Sequence, residues 1–327
     1  MEPEFEDGVE PPRAVRTTFV EDFSESIISR NDSPDIGFDR SINPYRGCEH
    51  GCAYCFARPT HEYLGYSAGL DFETRILYKP RAAELLEKEL SQSRYVPDVL
   101  ALSGVTDPFQ PVERKFRISR AVLGVLAATR HPTMIITKNA GVLEEIGPLG
   151  TLARHGAAGV HVSLTSLDPK LIRKLEPRTS LPKARLEAVA ALNAAGIPAG
   201  VLLAPIIPGL NDTEIGALVE AAAEAGAQWI RWAPVRLPHG VKDILLDWLE
   251  EHEPGKRNRV IDRIRSIRGG KLNDSRFGHR FRGQGIWMEQ LGELVKAAKR
   301  KAGFTDYPPV LSKAAFRKPE GKQMVLF

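Results

Sequence analysis

Every cysteine of the 327-residue chain lies in one short stretch, "INPYRGCEHGCAYCFARPTHEYLGY", as Cys48, Cys52 and Cys55. The spacing is C-x3-C-x2-C. Thiolates are soft ligands that favour zinc, copper(I) and iron–sulfur clusters. A structural zinc site closes with four protein ligands, so zinc here would need His50 or His61 as the fourth. Three unmodified thiols are a further alternative. The spacing fits better a [4Fe–4S] cluster with three thiolate-bound irons. The fourth iron then stays open to an exchangeable ligand, and an open coordination site on a cluster is a reaction site. An odd, clustered cysteine count also speaks for a reducing compartment with a metal site rather than a disulfide framework.

A loop of ligands needs a frame. From "FDRSINPYRG" onward the chain alternates two kinds of segment. Short apolar runs ("DVLALSGV", "PTMIITKN", "AAGVHVSLTS", "IPAGVLLAPIIPG", "QWIRWAPVRLP") end in small or polar residues and read as buried parallel strands. Between them lie helical patterns. "RKFRISRAVLGVLAATR" predicts one helix. "PKARLEAVAALNAAGI" sets Leu186, Val189 and Leu192 on one face and stops at Gly196, and "NDTEIGALVEAAAEAGA" opens on Asp212 as an N-cap and ends at Gly226. About six βα units between 38 and 237 imply an α/β fold with a parallel sheet, too few strands for a closed eight-stranded barrel. The expected fold is a partial (β/α)6 TIM-like barrel, open on one side, with a doubly wound sheet as runner-up. In both, active residues lie beyond the strand C-termini. The cysteines follow the first strand, and "SGVTDP", "TKN", "SLTS", "PIIPG" and "APVRLP" close the next five.

Three segments are expected: a flexible acidic N-terminal arm over 1–37, a core over 38–237, and a C-terminal helical and basic extension with an extended tail over 238–327. The arm begins "MEPEFEDGVEPP", with five acids and no base, which does not fit a signal or transit peptide. Net charge is +4, with 43% hydrophobic and 26% charged residues, and no apolar run is long enough for a membrane helix. A cytoplasmic protein is expected. Residues 256–282 hold ten Lys or Arg against Asp262 and Asp274, interleaved with Phe277 and Phe281. Cations of this kind track phosphates and aromatics stack on bases, so nucleic acid is a candidate partner. A solvated basic helix is the plain alternative. The last five residues, Gln323 to Phe327, resemble the short peptide by which many bacterial DNA-repair and replication proteins hold the sliding clamp. Gln323 would make the polar contact, and Leu326 and Phe327 would fill an apolar pocket.

The cysteine motif, with Tyr54 as the aromatic before its last cysteine, resembles that of the radical S-adenosylmethionine (SAM) superfamily. Within it, "NPYRGCEHGCAYCFAR", "SGVTDPFQPVE", "TKN", "SLTS" and "APIIPGLND" resemble proteins related to spore photoproduct lyase, over about 40–237. The resemblance implies that SAM chelates the open iron, that one-electron reduction by a protein such as flavodoxin or ferredoxin cleaves its sulfonium, and that the resulting radical abstracts a hydrogen atom. It also implies a pocket. Where many members carry Gly-Gly-Glu, this chain has Ser103-Gly104-Val105-Thr106-Asp107, so Ser103, Gly104 and Thr106 would offer acceptors to the SAM amino group and Asp107 would pair with it. Lys138 would neutralise the SAM carboxylate, and Ser163 or Thr165 would bond ribose or carboxylate. The lyase's cysteine hydrogen donor aligns with Gly104, so no thiol is left for that step, and Tyr45, Tyr63 and Tyr66 are the substitutes considered. Arg58, His61, Glu62 and Tyr63 would cap the cluster or meet substrate, and Glu176 and Arg178 would form an ion pair or a clamp. No catalytic residue is assigned. The expected function is hydrogen-atom abstraction from a nucleic acid. The alternatives are the same chemistry on a peptide or small metabolite, and a non-catalytic iron–sulfur or zinc protein that binds nucleic acid.

Overall fold

Short runs of Val, Ile, Leu and Ala pair side by side in the order they occur in the chain. The computed structural model describes residues 15–304 and 307–319. The N-terminal part carries β1 (Thr18–Glu21), β2 (Ile28–Arg30), β3 (Arg40–Ile42), β4 (Tyr45–Arg46), α1 (Asp71–Thr74), β5 (Arg75–Tyr78) and α2 (Ala82–Leu90). The middle carries β6 (Leu100–Leu102), α3 (Glu113–Phe116), α4 (Ile118–Thr129), β7 (Thr133–Thr137), α5 (Ile146–Ala153), β8 (Ala158–Ser163), α6 (Pro169–Leu175) and α7 (Pro182–Ala194). Then come β9 (Ala199–Ile206), α8 (Ile215–Glu224), β10 (Ile230–Pro234), α9 (Val241–His252), α10 (Arg257–Ser266) and α11 (Ile286–Lys301).

The main sheet runs β10-β9-β8-β7-β6-β3-β2. Six strands from β3 to β10 are parallel, and β2 closes the edge antiparallel to β3. A doubly wound sheet would reverse its order at a switch point. Here each strand adds to the same edge, which is the partial-barrel arrangement. The central strands are apolar without alternation because helices cover one face and the barrel interior fills the other; all six residues of β8 are buried. A smaller sheet, β1-β5-β4, stands beside it. The cysteine loop therefore leaves β4, one short strand later than the sequence suggests.

Three expectations about local structure need correction. Residues 15–37 of the expected flexible arm are in part ordered strand: β1 pairs with β5, β2 pairs with β3, and Ile27 is buried. The helix read over "RKFRISRAVLGVLAATR" is two, broken at Arg117, whose φ is +52°. The cause is tertiary. The buried Glu113 carboxylate accepts the Tyr45 hydroxyl and the backbone N–H groups of Ser119 and Arg120, capping α4 from the preceding turn. Asp212 likewise opens a 3-10 turn before α8, and its carboxylate pairs with Arg263.

At the other end of the barrel, the tail crosses the strand N-termini. Ser312 N–H donates to Gly156 O, Arg317 N–H to Thr129 O, and the Lys318 ammonium to Gln92 O and Ser93 O. Phe316 packs on Tyr95 and His131. Gln323, Leu326 and Phe327 lie outside the described residues. No helix among the described residues is long and apolar enough to cross a membrane.

Candidate active site

Cys48, Cys52 and Cys55 sit on an irregular loop that buries the first two sulfurs and half-buries the third. Irregular backbone needs partners for its carbonyls, and two arginines supply them. Arg58, 2% exposed, donates to Cys52 O (2.9 Å), Gly51 O (3.0 Å), Ala68 O (3.1 Å) and Gly69 O (2.7 Å), and pairs with Glu73. Arg178, from the loop before α7, donates to Glu49 O and pairs with the same Glu73. Gln110 accepts the Glu49 N–H at 2.7 Å, and the Glu49 carboxylate accepts the Val112 N–H at 2.5 Å. The glycines of the motif are required by this frame. At Gly51, φ is +68° and a Cβ would overlap the Arg178 guanidinium and the Glu73 carboxylate; at Gly47, φ is +82° and a Cβ would meet Phe72 O at 2.8 Å.

The end of β6 is tied to this loop. Thr106 Oγ1 donates to Gly47 O at 2.7 Å, Ser103 Oγ donates to Thr106 O, and Val105 N–H donates to Asn43 Oδ1. Ser103 has φ +100°, a strained value for a residue with a side chain. Asp107 accepts from Phe109 N–H (2.9 Å), Thr137 Oγ1 (2.8 Å) and Lys138 N–H (2.7 Å), with the His50 ring 3.5 Å away. Its carboxylate thus joins the ends of β6 and β7, which takes most of the acceptor capacity expected to face the SAM ammonium.

Behind the loop lies a buried polar network. The Tyr54 hydroxyl donates to Glu176, as does Thr165 Oγ1 at 2.6 Å. Glu176 forms an ion pair with Arg185, both side chains at 1% exposure or less. Arg185 also donates to Ser163 O (3.0 Å), Ser180 O (2.7 Å) and Thr179 Oγ1 (2.6 Å). Burial alone would raise the Glu176 pKa, but Arg185, Lys138 and the two hydroxyls outweigh it and hold the carboxyl down to about 2. Glu176 therefore pairs with Arg185 and Arg178 with Glu73, not with each other. The Lys138 ammonium lies 5.8 Å from the Tyr54 ring centre, half-buried at the end of β7. Ser163 is buried at the end of β8. Tyr54, Thr165 and Lys138 are thus brought together behind the cysteines, while the Tyr54 hydroxyl is turned into the network. Of the tyrosines considered as hydrogen donors, Tyr45 is sealed in the core against Glu113, Tyr66 packs between His61 and Arg75, and Tyr63 is 89% exposed.

The donor set fits a cluster. Burial first, then Asp107 and Cys55, push the Cys48 thiol up to about 12. Burial and then Glu176 raise Cys52 well above its usual value, with Cys55 and Cys48 adding to the effect and Lys138 opposing it. Three thiols close enough to oppose one another's ionisation become thiolates beside cationic irons. Among the described residues no group of three or more His, Cys, Asp or Glu is arranged to share one metal ion. Neither histidine joins the cysteines in such a group: His61 Nε2 pairs with Arg75 O at 2.9 Å while its Nδ1 is buried without a partner, and the His50 ring lies between Asn139 and Asp107. Burial pulls the His50 pKa down to about 4.

The basic stretch is not the uniform solvated face the sequence suggests. Arg259 donates to Gly209 O, Arg263 pairs with Asp212, and Arg268 donates to Val235 O and His279 O, so these three dock it onto the strand-end loops. Lys256, Arg257 and Arg276 pair with Glu253, Glu250 and Asp274. Sequence reasoning singled out Arg58 without its role and missed Arg185 and Arg236 altogether; an arginine whose partners are carbonyls or rings distant in sequence leaves no local pattern.

A family model described as the radical SAM superfamily matches residues 42–222. An uncharacterized protein of Mycobacterium tuberculosis is 33% identical over 263 residues, 80% of this chain and 76% of its own. An uncharacterized protein of Methanocaldococcus jannaschii is 25% identical over 173 residues, 53% of this chain and 62% of its own. Among solved structures, a point mutant of spore photoproduct lyase superimposes with a TM-score of 0.64 at 17% identity, covering 90% of this chain and 82% of that one. A double mutant of the same lyase, with bound AdoMet and dinucleoside spore photoproduct, gives a TM-score of 0.62 at 16% identity, with the same coverage of both chains.

Proposed function

Because the chain belongs to the radical SAM superfamily, whose members use a [4Fe–4S] cluster and SAM, we propose that it is an enzyme that abstracts a hydrogen atom from a nucleic acid. The cluster, when bound, supplies the electron that breaks the SAM sulfonium. Everything else falls to the chain. Cys48, Cys52 and Cys55 hold three irons, and Arg58, Arg178 and Gln110 keep the loop in the conformation that aims them. Lys138 sets an ammonium beside the cysteines for the SAM carboxylate. Ser103, Gly104 and Thr106 supply the strained end of β6 where the amino group docks, and Ser163 and Thr165 border the ribose. Asp107 acts through position, by joining β6 to β7. Tyr54 and Glu176 close the back of the site to water. The observation that carries the reading is the gathering of three buried or half-buried thiols at the C-terminal rim of a partial barrel.

Two observations favour nucleic acid as substrate. A solved neighbour of the same fold holds a dinucleoside, and Phe281 of the basic stretch is linked through Arg236 to Phe56, the residue that follows Cys55. A reductant such as flavodoxin or ferredoxin supplies the electron. Gln323, Leu326 and Phe327 would recruit a sliding clamp, which a peptide of the last ten residues tests by binding purified clamp at micromolar concentration. The substrate reading is tested with reconstituted protein, SAM, a reductant and either deuterated oligonucleotides or deuterated peptide and metabolite fractions. Deuterium appearing in 5′-deoxyadenosine from the oligonucleotide arm is expected. Deuterium only from the other arm would replace the nucleic acid.

A further inference from the structure

Aromatic and cationic side chains alternate in a chain of contacts that starts beside the cysteine loop. Phe56 follows Cys55 and is 44% exposed. The Arg236 guanidinium lies 5.4 Å from the centre of its ring and 4.4 Å from that of Phe281. The Arg280 guanidinium lies 5.6 Å from Phe281 and 4.4 Å from Phe277, which is 56% exposed. The order is Phe56, Arg236, Phe281, Arg280, Phe277, beginning beside the cluster loop and ending in solvent. Asp35 anchors the outer end, accepting from Arg280 Nε at 2.6 Å and from the Gly278 N–H.

Arg236 is the member that no carboxylate bonds directly, although Asp35 acts on it from further away. It follows β10, is half-buried, and its Nε is buried with no hydrogen-bond partner. Among the described residues no carboxylate pairs with it. Burial, then the charges of Arg280 and Arg268, pull its pKa down to about 10, with Asp35 opposing them. A guanidinium held among like charges, with two aromatic faces covering it and an unused donor, is arranged to receive an anionic oxygen. Cations that track a backbone beside rings that stack bases are how single strands are held.

We propose that this ladder is a binding surface for single-stranded nucleic acid, in which Arg236 takes a backbone phosphate and the exposed face of Phe277 stacks a base. The inference rests on the reading that the substrate is a nucleic acid, and it adds where the strand lies and that it enters unpaired. The strand would run from the solvent end of the ladder to Phe56, delivering a nucleotide to the cluster loop.

The test uses full-length reconstituted protein and a labelled single strand of roughly 12 nucleotides, in the range of one binding site, followed by fluorescence anisotropy across a salt series. Arg236→Gln should weaken binding about tenfold and lower the slope of log K against log salt by about 0.7, the value for one phosphate contact on a single strand. Phe277→Ala, at an exposed position, should weaken binding about fivefold or more with the slope unchanged, and it carries the test if Arg236→Gln loses iron. Wild-type binding with neither variant changed would overturn the ladder and leave the nucleic-acid reading standing. Equal or tighter binding of the same strand annealed to its complement, or full competition by inorganic phosphate, would also overturn it. Wild-type protein that binds no strand at all would sink both.

Discussion

Arg58→Met tests whether one buried guanidinium organises the cysteine loop. Methionine keeps an unbranched apolar side chain of comparable length, so little packing is lost. What goes is four N–H donations to carbonyls, two of them on Gly51 and Cys52, and the ion pair with Glu73. Each buried acceptor left unpaired costs about 1–3 kcal/mol if it cannot reach water. The loop can relax and admit water to some of them, and Glu73 keeps Arg178. The net loss should then be about 3–5 kcal/mol, the range for breaking a buried charge pair. In a domain stable by about 5–15 kcal/mol, that removes a large share without unfolding the sheet. The expected result is a melting temperature lowered by roughly 6–20 °C, at about 2–4 °C per kcal/mol, together with reduced iron after anaerobic reconstitution. Circular dichroism and iron analysis read both. Arg81→Ala is the control, because its pair with Glu84 leaves both side chains about 65% exposed (65% and 64%) and should change nothing measurable. An Arg58→Met protein with wild-type melting temperature and full iron would refute the reasoning.

Lys138→Ala should weaken SAM binding about tenfold or more by isothermal titration while iron content stays intact, as removal of one charge-assisted contact predicts; unchanged affinity would remove Lys138 from the SAM site. Arg185→Met strands the Glu176 charge and should destabilise by about 3–5 kcal/mol in denaturant titrations, whereas adding Glu176→Gln should recover part of that loss; a double variant no better than the single would contradict the pairing. Burial holds His161 neutral, its pKa pulled down to about 4 from the model-peptide 6.5. The unfolded chain then binds the proton first, so this contribution is complete above about pH 6.5 and is lost as pH falls toward 4. Near pH 5 the loss is about 2 kcal/mol. His161→Gln should flatten the acid side of the stability–pH curve, and an identical acid slope would show that His161 does not carry it.

The parallel strands were legible because a strand buried on both faces needs a continuous apolar run, and "MIIT", "GVHV" and "GVLLA" provide it. The cysteine spacing was legible because ligand geometry acts over a few residues. What escaped was set by contacts distant in sequence. β1 and β2 are short, half-polar edge strands whose partners lie at 75–78 and 40–42. The break at Arg117 depends on Glu113 receiving Tyr45, 68 residues away. Asp107 carries the charge expected of a SAM ligand, yet Thr137 and the Lys138 backbone reach it first. The basic stretch looked like one surface, but its arginines divide among docking on strand-end loops, pairing with carboxylates and, for Arg280, stacking on phenylalanines, and only the fold decides which.

The central claim is that three thiolates on one loop hold a cluster on which SAM is cleaved. Its most direct test is 5′-deoxyadenosine release by anaerobically reconstituted, dithionite-reduced protein, beside Cys52→Ala. The account predicts about four irons and four sulfides per wild-type chain, 5′-deoxyadenosine and methionine from SAM, and neither cluster nor cleavage in the variant. Stoichiometric zinc with no iron uptake, or a full cluster that leaves SAM intact after reduction, would contradict it.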